Sequence, residues 1–330
     1  MFGIRKSSKI SGESLSYDDV LLVPKKGVLS SRKDADLSTE LIPDFQLDIP
    51  IVSANMQSVT GSQMAFRMYE LGGRGFTHRN QSKEDQWTDF RLHKGVLTVG
   101  LDDWERILYF TQPLREVYSN IICLDVAHAD HQRVYDFIMG IKIFRPFVRL
   151  IVGNIATYEA ARRMIAYGVG AIKVGIGPGA ACTTRETTGF GVPQLSAIMN
   201  VARAIKDSKE NVKLIADGGI KNSGDIVKAL AAGANTVMLG RLLAGCDEAN
   251  TPGHYAGSAS LHVRSGYRAP EGVSGEVPLT GPLEDTIKSL TWGIRSGLSY
   301  AGARNLKELR QNAEFVKVSP NSLLETKARI

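Results

Sequence analysis

Residues 173–194 read KVGIGPGAACTTRETTGFGVPQ, and this run concentrates more potential chemistry than any other part of the chain. It presents one thiol, Cys182, followed by Thr183, Thr184 and Arg185. A thiol so placed is suited to nucleophilic attack, and neighbouring hydroxyls can carry its proton away. Gly175, Gly177 and Gly179 tolerate backbone angles that other residues avoid, so the loop can fold tightly around a ligand or an ion. The competing reading is a tight turn around a small packing cysteine, the commoner fate of a free thiol. Two further stretches carry chemical side chains. IADGGI (215–220) and VMLGRL (237–242) place Asp217, Gly218, Gly219, Gly240 and Arg241 just after apolar runs. Glycine amides there can approach phosphate oxygens, and Asp217 can accept hydrogen bonds from sugar hydroxyls; turn glycines with no ligand are the alternative. Residues 254–281 are polar and rich in Gly and Ser, with Tyr267, Arg268 and Glu271 as their reactive side chains. A carboxylate above a thiol and a hydroxyl can serve as general acid or base. The same stretch also reads as an exposed loop with an incidental acid.

These residues need a scaffold that brings them together. Eight strand-like apolar runs fall at 49–54, 75–77, 95–99, 120–126, 149–152, 171–174, 213–216 and 236–239. Amphipathic stretches lie between them, for example 62–71, 104–116, 131–141, 157–167 and 223–232. Several begin at Ser, Thr or Asp, which suit helix N-caps. Eight strand–helix alternations predict an α/β chain folded as a (β/α)8 TIM barrel, with a flap after the eighth strand. A doubly wound sheet is the rival, but no GxGxxG follows the first strand. The barrel predicts active residues at the strand C-termini. Reading past each run gives Asn55 and Met56, His78 and Arg79, Gly100, Asp125, Asn154, the 175–182 loop, Asp217 and Gly240. One barrel over residues 1–330, without a second domain, accounts for the whole sequence.

Composition narrows the class. The chain has 330 residues, 43% hydrophobic and 22% charged, as in an ordinary globular enzyme. No apolar stretch reaches the roughly 20 residues that span a bilayer, and the first residues lack a signal-peptide core. Cys123, Cys182 and Cys246 include no CxxC pair, which predicts a reducing, cytoplasmic location and no disulfide framework. The net charge of +6 is scattered, so an anionic small ligand is expected rather than nucleic acid or a membrane.

SYDDVLLVP (16–24), VSANMQSV (52–59), GIGPGAACTTR (175–185), GVPQLSA (191–197), IADGGI and SGDIVKALAAGANTVMLG (223–240) together resemble the IMP dehydrogenase/GMP reductase family, in order and over essentially the whole chain. The resemblance implies a (β/α)8 barrel, usually assembled as a tetramer. It implies a purine nucleoside monophosphate substrate, a covalent adduct between Cys182 and purine C2, and a nicotinamide cofactor that exchanges hydride at that carbon. Cys182, Thr184 and Glu271 are then the catalytic residues. Asp217, Gly218, Gly219, Gly240, Arg241 and Tyr255 face the ribose phosphate, while Met56 and Arg268 face the base. Asp125 and Asn154, with His78 and Arg79, fall on the cofactor side. The carbonyls of Gly177, Gly179 and Cys182 are placed to hold a monovalent cation, K+.

Three features resemble the reductase branch, which turns GMP and NADPH into IMP, ammonia and NADP. There is no room after His78 for an inserted regulatory (CBS) domain pair. The run Tyr267-Arg268-Ala269-Pro270-Glu271 is similar to the reductase flap and lacks the dehydrogenase Arg-Tyr pair. Asn55, Met56 and Gln57, AGSAS (256–260) and SYAG (299–302) also look like the short bacterial reductases. GVSGEVP (272–278) and GVPQ resemble dehydrogenases instead, and Arg241 stands where the family usually has Gly or Ser. The alternatives are an IMP dehydrogenase without regulatory domains, which makes XMP with NAD, and a purine-nucleotide-binding protein without turnover.

Overall fold

Each of the eight apolar runs becomes one strand of a single parallel sheet in the computed structural model, which describes residues 12–91, 94–111, 120–260, 271–319 and 321–322. We number these strands β1 (Ile51–Ser53), β2 (Arg74–Gly75), β3 (Leu97–Val99), β4 (Ile121–Asp125), β5 (Arg149–Ile155), β6 (Ala171–Val174), β7 (Lys213–Asp217) and β8 (Thr236–Leu239). Their order in space is β2-β1-β8-β7-β6-β5-β4-β3. The ends of that series meet. The Val96 N–H donates to the Gly75 carbonyl at 2.7 Å and the Thr77 N–H to the Val96 carbonyl at 2.9 Å, around a parallel Phe76–Val96 bridge. The sheet is therefore curled on itself as the (β/α)8 prediction requires, and β1 pairs with β8.

The helices between the strands are α1 (Ser62–Glu70), α2 (Lys83–Arg91), α3 (Trp104–Phe110), α4 (Gln132–Phe144), α5 (Tyr158–Ala166), the short α6 (Thr184–Thr188), α7 (Gln194–Ser208) and α8 (Ser223–Ala231); α9 (Leu283–Tyr300) follows β8. Capping starts several of them as the sequence suggests. Thr157 accepts from Ala160 N–H at 3.2 Å ahead of α5, and Asn222 accepts from Asp225 N–H at 3.0 Å ahead of α8. The α4 cap differs: His131 Nδ1 accepts from Arg133 N–H at 3.1 Å. The apolar helix faces and the outward strand residues form one core, including Met64, Ile138, Met164, Leu195 and Leu230. Leu41, Ile42, Phe76, Cys123, Ile151 and Met238 belong to a second cluster that fills the barrel itself.

The pieces of backbone with no counterpart in the sequence reading include two antiparallel pairings. An antiparallel hairpin, Thr39–Ile42 with Phe45–Leu47, packs Leu41, Ile42 and Leu47 into the interior cluster. Arg149 Nη1 donates to the Pro43 carbonyl at 2.9 Å, so the hairpin sits at the strand N-termini and closes that end. The second piece pairs Val20–Leu22 with Phe315–Lys317 and joins the two ends of the chain. With one end plugged, ligands have access at the other. Among the described residues no helix is long and apolar enough to cross a membrane.

Candidate active site

A cavity of about 1230 Å³ opens at the C-terminal ends of the strands. It is lined by residues from β1, β4, β5, β6, β7 and β8 and their following loops, together with Tyr255 and Glu271 from the segment after β8. This is the end at which barrel enzymes carry their chemistry.

The β6 loop turns sharply before it presents the thiol. Gly175 has φ +150°, and a Cβ there would lie 2.1 Å from the Asp217 carbonyl oxygen, so only glycine lets β6 leave the sheet beside β7. The loop then closes through Cys182 N–H to the Gly179 carbonyl at 3.0 Å. Glu271 is fixed above it by two backbone links: Thr183 N–H donates to the Glu271 carbonyl at 3.0 Å, and Val273 N–H to the Ala181 carbonyl at 2.9 Å. The side chains form a directed series. The Cys182 thiol donates to Thr184 Oγ1 at 3.2 Å, and the Thr184 hydroxyl donates to Glu271 Oε2 at 2.7 Å. A proton leaving the sulfur thus has a hydroxyl and then a carboxylate to receive it.

The cavity floor holds a charged group that the sequence reading missed. Lys173, in the middle of β6, has only 3% of its side chain exposed. Its ammonium donates to Asp125 Oδ1 at 2.7 Å and to Asp217 Oδ2 at 2.9 Å. Burial alone pulls the ammonium pKa down, but Asp125 and Asp217 outweigh it and hold the value above the ordinary lysine range. Burial likewise opposes ionisation of Asp125, yet Lys173 overcomes it and keeps this carboxyl below its usual range, helped by the more distant Arg79 and a hydrogen bond from Asn55. Asn154 completes the ring: its Nδ2 donates to Asp217 Oδ2 at 2.9 Å and to the Gly175 carbonyl at 2.8 Å. Both partners are acceptors, which fixes the amide orientation. Asn154 Oδ1 is left buried without a partner. Gln194, the first residue of α7, ties β6 to β7 through Nε2, which donates to the carbonyls of Val174 at 2.8 Å and Asp217 at 3.0 Å.

Another part of the lining suits an anion. Gly218, Gly219, Gly240, Arg241 and Tyr255 all line it. A Cβ at Gly240 would come within 2.9 Å of the Tyr255 hydroxyl and 3.1 Å of Met56 Sδ, so the absence of a side chain keeps backbone, phenol and thioether at one point. Burial pushes the Tyr255 phenol well above its ordinary pKa, Asp217 adds to the effect and Arg241 opposes it. Tyr255 is therefore a neutral hydrogen-bond donor at any working pH.

Most residues singled out from the sequence meet in this cavity: Cys182, Thr184, Glu271, Met56, Asp217, Gly218, Gly219, Gly240, Arg241, Tyr255, Asp125, Asn154, Gly177 and Gly179. Two do not line it. His78 is 4% exposed and packed beneath α2, and burial lowers its pKa. Arg79 turns toward Asp103, with Nη1 3.9 Å from Oδ2. Arg268 lies outside the described residues. Lys173 was detectable as one charge inside a buried run, AIKV, and Gln194 as a polar residue opening an apolar helix.

The IMP dehydrogenase/GMP reductase domain model matches residues 14–329. An inosine-5'-monophosphate dehydrogenase of Borreliella burgdorferi is 34% identical over 397 aligned positions, covering 97% of this chain and 97% of that protein. The enzyme of the same name from Bacillus subtilis is 30% identical, with 97% and 96% covered. That of Methanocaldococcus jannaschii is 31% identical, with 95% and 94% covered. The aligned stretches reach 397, 473 and 477 positions against a chain of 330, so these relatives carry segments that it lacks.

Proposed function

This chain belongs to the IMP dehydrogenase/GMP reductase family, and from that premise we propose that it oxidises inosine 5′-monophosphate at purine C2 with a nicotinamide dinucleotide, using Cys182 as nucleophile. The observation that carries the reading is the series Cys182–Thr184–Glu271 in a cavity that is also lined by glycines, Arg241 and Tyr255 suited to a phosphate. The Cys182 proton passes to Thr184 and on toward Glu271 while sulfur bonds to C2. C2 then gives up its hydrogen with both electrons. A bound nicotinamide supplies the acceptor for that hydride. The S–C2 bond then breaks as the sulfur takes back the proton held by Glu271 through Thr184, and the water that adds to C2 gives its proton to the carboxylate so freed, which releases it to solvent. The balance is IMP, water and NAD+ to xanthosine monophosphate, NADH and a proton.

The residues present fit such a cofactor. Asn154 Oδ1, buried and unpartnered, suits a carboxamide N–H. The floor has two carboxylates on one ammonium, an excess of negative charge. That excess favours binding of the cationic, oxidised nicotinamide over the neutral reduced ring. Asp217 meets Lys173 and Asn154 through Oδ2, which leaves Oδ1 for the ribose hydroxyls. The carbonyls of Gly177, Gly179 and Cys182 are hard, uncharged oxygens of the kind that suits K+, and the family resemblance is what assigns them to it. Replacing K+ by Li+ is expected to slow turnover, read as initial rate at matched ionic strength.

The curated relatives, named dehydrogenases, weigh toward oxidation. A second reading, NADPH-dependent reductive deamination of GMP to IMP and ammonia, is supported by the compact run ending at Glu271 and by the proton series, which would protonate a departing amine. In either direction the chain acts as one catalytic barrel without a regulatory domain pair. Parallel absorbance assays separate the two. IMP with NAD+ producing NADH establishes the dehydrogenase. GMP with NADPH losing absorbance and releasing ammonia establishes the reductase. Silence in both assays, with no Cys182 adduct by mass spectrometry, overturns the catalytic reading.

A further inference from the structure

The mechanism above makes no use of Lys173, although keeping an ammonium this deep in the barrel is expensive. Desolvating such a group costs several kcal/mol, and the cost is recovered only through well-placed counter-charges and hydrogen bonds. Lys173 has both, from two different strands: Asp125 ends β4 and Asp217 ends β7. The carboxylates stand on opposite sides of β6, with β5 also between β6 and β4. Asn154, from β5, closes the circuit by donating to the same Asp217 oxygen that Lys173 uses. Four side chains from four successive strands thus share one charge arrangement on the cavity floor. On the reading proposed above, Asp217 serves the nucleotide, and Asp125 and Asn154 serve the cofactor.

We infer that Lys173 is a positioning residue that couples the two ligand sites, so that occupancy of the nucleotide site tightens the cofactor site. The inference rests on that functional reading. When ribose hydroxyls engage Asp217, they fix the carboxylate against rotation. The Lys173 ammonium and the Asn154 amide, both bound to its Oδ2, are fixed with it, and through Lys173 so is Asp125. The cofactor then meets a floor already ordered, and the ordering cost is met once for both ligands. Linkage requires the converse: bound cofactor tightens the nucleotide by the same factor.

The test measures coupling rather than rate. Cys182→Ala protein, which cannot turn over, is titrated calorimetrically with NAD+ in the absence and presence of saturating IMP, and in parallel with NADPH and GMP. In the Lys173-containing protein the nucleotide is expected to tighten the cofactor by at least about fivefold. Adding Lys173→Met should bring that factor below about twofold while each ligand still binds alone. Lys173→Met leaves two carboxylates uncompensated. If it fails to fold, as judged by circular dichroism, Lys173→Met with Asp125→Asn keeps the net charge of the group and must also lose the coupling. Retained coupling in either folded variant overturns the inference. So does independent binding of the two ligands when Lys173 is present, which leaves the functional reading intact. Failure of the Cys182→Ala protein to bind any purine nucleotide instead removes the functional reading, and this inference with it.

Discussion

At the residue scale, the three cysteines separate by environment. Cys182 is partly accessible and donates to Thr184, whereas Cys123 and Cys246 are buried. Burial also pushes the Cys123 thiol far above its ordinary pKa, so it is doubly protected from electrophiles. Iodoacetamide on native protein should therefore place a single label on Cys182, with loss of activity in step, and bound nucleotide should slow both. Labelling of Cys123 at a comparable rate, read by peptide mass spectrometry, would contradict this placement. The proton series makes a second prediction. Thr184→Val and Glu271→Gln each remove one station from the path and should lower kcat by about 10²–10⁴-fold, the range for a positioned acid–base group. KM for the nucleotide should hardly move, because neither group stands on the phosphate wall. A mutant that raised KM and left kcat unchanged would make Glu271 a binding residue instead.

At the element scale, the site depends on how two strands end. Gly175 and Gly240 differ in what a methyl would strike. At Gly175 it meets backbone of β7 and must adopt φ +150°, so Gly175→Ala should destabilise the fold by on the order of 3 kcal/mol, measured by urea denaturation. At Gly240 it meets the Tyr255 hydroxyl and ring edge and Met56 Sδ, side-chain atoms and no backbone. Gly240→Ala should therefore leave stability nearly unchanged and weaken nucleotide binding. Equal stability losses in the two variants would mean that the Gly240 end is as rigid as the Gly175 end. The same contrast explains what was legible in the sequence. Strands and catalytic loops announce themselves through local signals: apolar runs, glycines at their ends, and a cysteine beside hydroxyls. All eight runs were recoverable in that way, though β2 shrank to Arg74–Gly75 because only a single bridge follows it. The plug hairpin was not legible, since its reason for existing is the open barrel end that it covers. His78 and Arg79 looked like site residues because they follow a strand. Gln86 of α2 holds the His78 carbonyl and Arg79 turns to Asp103, so neither lines the cavity, and only the tertiary packing shows it. Lys173 is the reverse case, a charge whose partners lie 48 and 44 residues away in sequence and meet it only when the barrel closes.

At the scale of the whole molecule, the buried titratable groups set the pH range over which the barrel survives. Burial depresses the pKa of His78 below its ordinary value, and its Nδ1 has no hydrogen-bond partner. A depressed value means that the unfolded chain takes up the proton first. The His78 contribution is thus intact above about pH 6.5, the unfolded histidine value, and is lost as pH falls through the folded value. Asp125, Glu40 and Asp130 have depressed pKa values as well. Lys173 overcomes burial at Asp125, a hydrogen bond from Lys213 leads at Glu40, and one from Arg163 leads at Asp130. Their contributions hold above about pH 4 and disappear below it. Lys173 has the opposite sign: its pKa is raised, so its contribution is complete below about pH 10.4 and lost only as pH climbs through the higher folded value. Melting temperature plotted against pH should then be flat from about 6.5 to 8.5, fall above that as the unfolded chain gives up the Cys123 proton that the folded chain keeps, decline by a few degrees toward pH 5, and drop steeply below pH 4. His78→Gln should erase the shallow decline between pH 6.5 and 5 and leave the steep acid limb in place. A variant that keeps the shallow limb would show that another group, and not His78, takes up the proton there.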